Sequence, residues 1–383
     1  MTALATASAS GLEGVHAADT ALSDVDGERG RLVIAGHDVE TLAPVARFED
    51  AAAALWQAAG MPDAPDATTL RAALAEARGE AFERLPRLGD ALATPDGMDA
   101  LRAAAAHLPA TGDPARDAAR LTGALAVFAA AWARGRAGLR PVAPSPANAH
   151  AADYLHMVRG ESADAARVRG LDTYLVTVCD HGMNASTFAA RVVTSTGSDR
   201  VSAIVAAIGT LKGPLHGGAP GPVLDMLDAV GVPDAARAQA WLSAELAAGR
   251  RIMGMGHRIY RVRDPRAAVL EQATQTLEAA LGASAGRLAL ARAVESAAAA
   301  ILRARRPDRP LCANVEFFTA VLLDAIGLDR TLFSPTFAVG RVAGWLAHVA
   351  EQTRTGRLIR PASRYVGVTP PARGGIGSAA DSA

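Results

Sequence analysis

Lysine is almost missing from this 383-residue chain: Lys212 is the only one, so nearly all of the 39 basic residues are arginine. Arginine's planar, permanently charged fork suits fixed recognition of carboxylates and phosphates, although the bias by itself names no ligand. Net charge is missing as well, because 39 acidic residues balance the basic ones. No stretch gathers basic residues into a nucleic-acid face, and no such partner is expected. Only two cysteines, Cys179 and Cys312, are present, far apart and without a CxxC. That argues against a disulfide framework or a zinc knuckle and leaves two buried free thiols. No window of about 18 residues is apolar and uncharged enough to span a bilayer. Met1–Ser10 has neither a basic start nor an apolar core, so it does not read as a secretory signal, and the expected location is the cytoplasm. The nine histidines show neither HExxH nor a pair at the helical spacing of metal ligands, so no metal site is expected. GxxxxGK[ST] and GxSxG are also absent.

Half of the residues are hydrophobic, enough for a sizeable core in one large or two ordinary domains. Both ends look loose: residues 1–10 are rich in Ala, Thr and Ser, and Thr369–Ala383 is mostly Pro, Gly, Ser and Ala with little to bury. Gly11–Ala43 holds short apolar groups such as Leu32-Val33-Ile34 and turn signals at Asp26-Gly27 and Ala35-Gly36, which predict a small hairpin. From about Phe48 the chain is Ala, Leu, Arg and Glu in helical rhythm, broken by Pro and Gly clusters, and alternating β pattern is nearly absent. The fold class is therefore mostly α. Asn314 is a good cap and Gly327 a good stop for a helix whose Val315, Phe318, Thr319, Leu322 and Ile326 share one face. A second helix is predicted from about Phe337, with Val342, Trp345, Leu346 and Val349 as its stripe and Arg341 and His348 at the edges. An arginine there either points into a cleft or runs its stem out to water, the commoner outcome.

Four segments could carry chemistry. Gly213-Pro214-Leu215-His216-Gly217-Gly218-Ala219-Pro220-Gly221-Pro222 reads as a fixed, tight turn, with Pro222 as the first residue of the helix that follows. Its glycines allow a ligand close to the backbone beside His216; the plain alternative is a helix–helix turn with an incidental histidine. Gly254-Met255-Gly256-His257 begins like GxGxxG, but Ile259 stands at the third glycine position and no clear strand precedes it, so a dinucleotide fingerprint is rejected. What remains is a histidine on a Gly-rich loop followed by Arg258, Arg261, Arg263 and Arg266. That density suits a ligand with several anionic groups, or else a solvated basic helix end. The third segment is Asp180-His181-Gly182-Met183-Asn184-Ala185-Ser186-Thr187. The fourth, Asn314-Val315-Glu316-Phe317-Phe318, puts Glu316 in a first helical turn. The helix dipole there favours the ionised carboxylate that a general base needs, though an ordinary first-turn Glu looks the same.

Taken together, in order and spacing, these segments resemble the citrate synthase family. The likeness extends through Phe337-Ala338-Val339-Gly340-Arg341-Val342-Ala343-Gly344-Trp345-Leu346-Ala347-His348 to Leu358-Ile359-Arg360-Pro361, and covers roughly residues 11–368. The resemblance implies an all-helical homodimer in which residues 11–217 and 329–368 form a large domain and 218–328 a small one, with the site in the cleft between them. It implies condensation of acetyl-CoA with oxaloacetate to give citrate, or of propionyl-CoA to give 2-methylcitrate, with the acyl-CoA as substrate and no separate cofactor. A non-catalytic paralogue that kept the fold is the reading from a different class.

By motif, His216 would hold the thioester oxygen as the enol forms, Glu316 would remove the α-proton, and His257 would polarise and protonate the 2-oxo carbonyl. His181, Arg266 and Arg341 would bind the oxo acid, with Arg360 reaching in from the partner subunit. Arg261 matches a position that meets CoA phosphate. Arg251, Met253, Gly254, Met255 and Gly256 match the adenine-binding stretch. Three positions depart from the family's commoner pattern: Glu316 stands for Asp, Pro220-Gly221-Pro222 for Asn-Glu-Ala, and Gly182 for Glu.

Overall fold

The structure, a computed structural model, describes residues 12, 14–216, 220–282, 287–305, 307 and 311–368. The two expected loose ends, 1–10 and 369–383, lie outside the described residues, as do Gly217, Gly218 and Ala219 of the His216 turn. The chain is mostly helical.

The N-terminal segment is more than a hairpin. Strands β1 (Ser23–Asp26), β2 (Arg31–Ile34) and β3 (His37–Asp38) form an antiparallel sheet, with Ser23 opposite Ile34 and Val33 opposite Asp38. Helices follow: α1 (Val39–Leu42), α2 (Phe48–Ala58), α3 (Ala67–Arg84), α4 (Gly97–Ala106), α5 (Pro114–Arg136), α6 (His150–Arg159), α7 (Ala165–Val178) and α8 (Ala185–Ser195). Then come α9 (Arg200–Leu211), α10 (Pro220–Val230), α11 (Ala235–Ala247), α12 (Pro265–Leu281), α13 (Arg287–Arg305), α14 (Val315–Ile326) and α15 (Phe333–Thr355).

Local chemistry sets many of these boundaries. Asp66, Asp113, Asp164, Asp199 and Asp234 each sit just before a helix and accept a hydrogen bond from a first-turn N–H. Each such cap satisfies a backbone donor that the helix itself leaves without a partner. Asn314 caps α14 and Gly327, at φ 89°, ends it, as the sequence predicts. Two starts differ. The helix after the His216 turn begins at Pro220 rather than Pro222; the first four helical N–H groups have no partner anyway, so the second proline costs no bond. The last helix begins at Phe333, four residues before the predicted start, because the 3-10 turn Arg330–Leu332 runs straight into it.

The two longest helices, α5 and α15, run through the core, where Leu121–Phe128 and Phe337–Val349 are buried. Around α15 lie α2, α5, α7, α8 and α9. On the other side α14 packs on α7, α10, α12 and α13. The site residues stand where α7, α14 and α15 meet. Cys179 is buried and Cys312 only half-buried, and both are free thiols. Among the described residues, no helix is long and apolar enough to cross a membrane.

Candidate active site

The chain before α14 runs antiparallel to the Gly254–His257 loop. Met255 bridges Ala313, the Gly256 N–H donates to the Cys312 carbonyl at 2.7 Å, and the Asn314 N–H donates to the Gly254 carbonyl at 2.9 Å. Asn314 then acts twice. Its Oδ1 accepts from the Glu316 N–H at 3.0 Å, and its Nδ2 donates to the Gly256 carbonyl at 2.9 Å. One cap residue thus ties the helix start bearing Glu316 to the peptide beside His257. Gly254 is required here: its φ is +71°, and a Cβ would fall 2.9 Å from Phe317.

Asp264 makes the next connection. It caps α12, accepts from Arg266 Nε at 3.0 Å and Nη2 at 2.7 Å, and also accepts from the Val315 N–H at 3.2 Å. A single buried carboxylate therefore aims Arg266 and anchors the first residue of α14. The third connection is the close pass of α15 over the turn after α7. A Cβ on Gly344 would lie 2.2 Å from the Cys179 carbonyl, whose oxygen the Gly344 N–H instead reaches at 3.1 Å. This pass sets Arg341 Nε 2.5 Å from the Val178 carbonyl and His348 Nε2 3.1 Å from Asp180 Oδ1. Asp180 precedes His181. Arg341 thus turns inward, 1% exposed, instead of running out to water.

Three rings meet at the centre. His181 lies 5.5 Å from His257 and 5.7 Å from Tyr260, and His257 lies 4.7 Å from Tyr260. His181 Nε2 and the Tyr260 hydroxyl are 3.2 Å apart. His257 Nδ1 accepts the N–H groups of Ile259 at 3.0 Å and Tyr260 at 3.2 Å. Its proton therefore belongs on Nε2, which stands 3.5 Å from Arg266 Nη2. Two donors facing each other do not bond, but together they present N–H groups to an oxygen placed between them. His216 has the complementary tautomer. Its Nε2 accepts from the Ser186 N–H at 3.3 Å and lies 2.8 Å from the Ser186 hydroxyl, which Trp345 Nε1 also approaches at 3.1 Å. The remaining proton sits on Nδ1.

Electrostatics keep all three histidines neutral. Burial, then Arg266, lowers His257 to about 4. Burial, then Arg341, lowers His216 to about 4. Burial and the same two arginines push His181 well below the ordinary range. Glu316 moves the other way: burial raises it to about 7, although Arg266 and Arg341 pull it down. Arg266 and Arg341 thus act on His181, His216 and Glu316 alike, which makes one cluster of residues far apart in sequence.

The other expected residues divide. Gly254 is buried, Met253, Met255 and Gly256 are half-buried, and Arg251 and Arg261 are exposed, the Arg261 backbone N–H donating to the Gly27 carbonyl at 2.9 Å. Arg360 is not in the cluster. It is exposed in a separate cleft of about 760 Å³, lined also by Ala21, Arg191, Glu351 and Arg357. Sequence reading missed Tyr260, Asp264, Ser186 and the Asp180–His348 pair as supports. Each lies inside or beside a segment already singled out, but only packing shows what it touches. Among the described residues no group of three or more His, Cys, Asp and Glu side chains is arranged to hold a metal ion.

Comparison with known proteins agrees with this architecture. A family profile described as "Citrate synthase, C-terminal domain" matches residues 11–362. A citrate synthase from Haloferax volcanii is 37% identical over 371 residues, covering 93% of this chain and 95% of that protein. A 2-methylcitrate synthase from Mycobacterium tuberculosis is 36% identical over 370 residues, covering 93% and 90%. The solved ternary complex of carboxymethyl coenzyme A and oxaloacetate with citrate synthase from Thermoplasma acidophilum superposes with a TM-score of 0.79 at 28% identity, covering 96% of this chain and 98% of that one. With its motifs in register, its helical fold shared and its length matched almost end to end, the chain belongs to the citrate synthase family.

Proposed function

We propose that this enzyme condenses acetyl-CoA with oxaloacetate and water to give citrate and CoA. The observation that carries the reading is the shared cluster: two buried arginines, Arg266 and Arg341, act on His181, His216 and Glu316 at once. Glu316 is the base. Its pKa of about 7 suits proton abstraction near neutral pH, where ionised base and proton affinity are both available. It takes the α-proton of the thioester while the His216 Nδ1–H holds the oxygen that becomes the enol. The enol carbon attacks the oxo carbon, and the His257 Nε2 proton passes to the carbonyl oxygen. Water then cleaves the thioester and releases CoA. His181, Arg266 and Arg341 hold the oxo acid's carboxylates and carbonyl by charge-assisted hydrogen bonds.

The CoA lies along Arg251–Gly256 and Arg261. Residues 11–217 with 329–368 form the large domain and 218–328 the small one. A homodimer with Arg360 entering the partner's site completes the oxo-acid pocket, and the enzyme works in the cytoplasm. The second reading is 2-methylcitrate synthesis from propionyl-CoA, favoured by the relative of that name at 36% identity. One methylene separates the substrates, a difference of about 1–3 kcal/mol in a pocket.

The test is release of free CoA thiol from each acyl-CoA with oxaloacetate. Oxaloacetate-dependent release from acetyl-CoA at the higher kcat/KM is the expected result. Preference for propionyl-CoA selects the second reading, and no release from either defeats the enzyme assignment.

A further inference from the structure

Two buried hydroxyls that the reaction above does not use lie on the helix that carries Glu316 and on the helix packed against it. Tyr174 lies on α7 and Thr319 on α14, and those helices pack together. Thr319 is three residues after Glu316, so the two share a helix face. Tyr174 and Thr319 are fully buried and Glu316 is 8% exposed. The Tyr174 hydroxyl, Thr319 Oγ1 and Glu316 Oε2 are sealed from solvent, and none reaches a partner in good hydrogen-bonding geometry, although Thr319 lies near enough to the phenol to influence it. Leaving such groups unpaired is costly, and Phe and Val would fill nearly the same space without that cost. After burial, the Glu316 carboxylate is the largest influence raising the Tyr174 phenol well above the usual tyrosine range; Arg341 opposes it, and Thr319 is close enough to act on the same oxygen. The phenol therefore keeps its proton at neutral pH and is available only as a donor or a neutral acceptor.

We infer that Tyr174 is a positioning residue for Glu316: its phenol donates to Oε2 once acyl-CoA fills the site, with Thr319 as second donor, which turns Oε1 toward the α-carbon. This rests on the reading of Glu316 as the base. Hydrogen bonds of this kind are often unformed before substrate binds and tighten in the loaded enzyme. A glutamate has one more free torsion than an aspartate, so a longer base needs a further contact to hold its carboxylate in line. The other charged groups facing Glu316 are Arg266 and Asp264 at the start of α12 and Arg341 on α15. Beyond Glu316, Arg341 and Thr319, Tyr174 also feels Tyr154 on α6. Asp228 of α10 and Arg287 of α13 are paired with Arg330 and Asp324 at the far end of α14.

The experiment uses the full-length enzyme carrying Tyr174→Phe, Thr319→Val or Thr319→Ser. Two readouts are followed: the pH profile of kcat, and exchange of acetyl-CoA α-protons with solvent. Removing a donor from the ionised carboxylate raises the pKa of the base, so in Tyr174→Phe the acid limb moves to higher pH by about one unit. Exchange near neutral pH falls about tenfold, while the KM for oxaloacetate stays within about twofold. Thr319→Val shows a smaller shift of the same sign, and Thr319→Ser restores the parent profile. A Tyr174→Phe enzyme with an unmoved acid limb and full exchange overturns the inference. Glu316→Gln separates the two ideas. If it is inactive while Tyr174→Phe is unchanged, the base stands and the positioning role falls. If it is active, the base reading itself falls.

Discussion

At the scale of single residues, Glu316 carries the sharpest consequences. Its burial raises it from 4.5 to about 7, so between those values the folded chain holds a proton that the unfolded chain releases. The stability linked to this group is complete below pH 4.5 and is lost as pH rises through 7. Glu316→Gln, neutral at every pH, is therefore expected to abolish turnover yet melt higher than the parent at pH 8, with no gain at pH 5. Calorimetry at the two pH values checks the sign. Turnover of the parent should fall as pH drops below about 7, because the base must be ionised. Glu316→Asp should lose activity, since the shorter side chain ends about 1 Å short of the α-carbon in a site built around the longer one. A rate above the parent's would show Glu to be a tolerated misfit. His216→Ala and His257→Ala should each lower kcat at least about a hundredfold, the usual cost of losing an oxyanion donor or a general acid. Circular dichroism should stay unchanged. Near-normal turnover in either variant would remove that histidine from the reaction.

At the scale of elements, the contact between α15 and the turn after α7 is the one to disturb. Gly344→Ala places a methyl 2.2 Å from the Cys179 carbonyl, and neither backbone can give way without moving Arg341 or His181. The expected cost is about 1–3 kcal/mol in unfolding free energy, as for other overpacked cores, with a raised KM for oxaloacetate. A stable variant with parent kinetics would mean that α15 can back away without consequence. The helix starts show how local signals reach the site. Asn314 and Gly327 were readable as cap and stop because those residue types satisfy helix ends in any context. The start of α15 was not readable, because Leu332 and Phe333 carry no capping chemistry and the preceding 3-10 turn simply continues into the helix.

At the scale of the whole molecule, Arg360 lies apart from the cluster in its own chain. If it serves the partner's site, Arg360→Leu alone should raise the oxaloacetate requirement far more than that for acyl-CoA. Mixing it with Glu316→Gln, inactive for another reason, should restore part of the activity through hybrid dimers, which carry one site with both residues intact. Dimer mass in light scattering without any restored activity would leave Arg360 acting within its own subunit or not at all.

The sequence by itself determined the helical class, the caps, the four chemical segments and, through their order and spacing, the family. These are properties of near neighbours along the chain: periodicity, turn chemistry and motif spacing act over a few residues or in register. Arg341 shows where such signals end. Its place at the edge of an apolar stripe allowed a cleft or the solvent, and the close pass of α15 over the turn after α7, which Gly344 permits, sent it inward. The neutral state of His181, the raised pKa of Glu316 and the joining of Arg266 to α14 through Asp264 depend in the same way on groups far away in sequence. Only the tertiary structure decides them, because burial and through-space charge exist only once distant segments are packed.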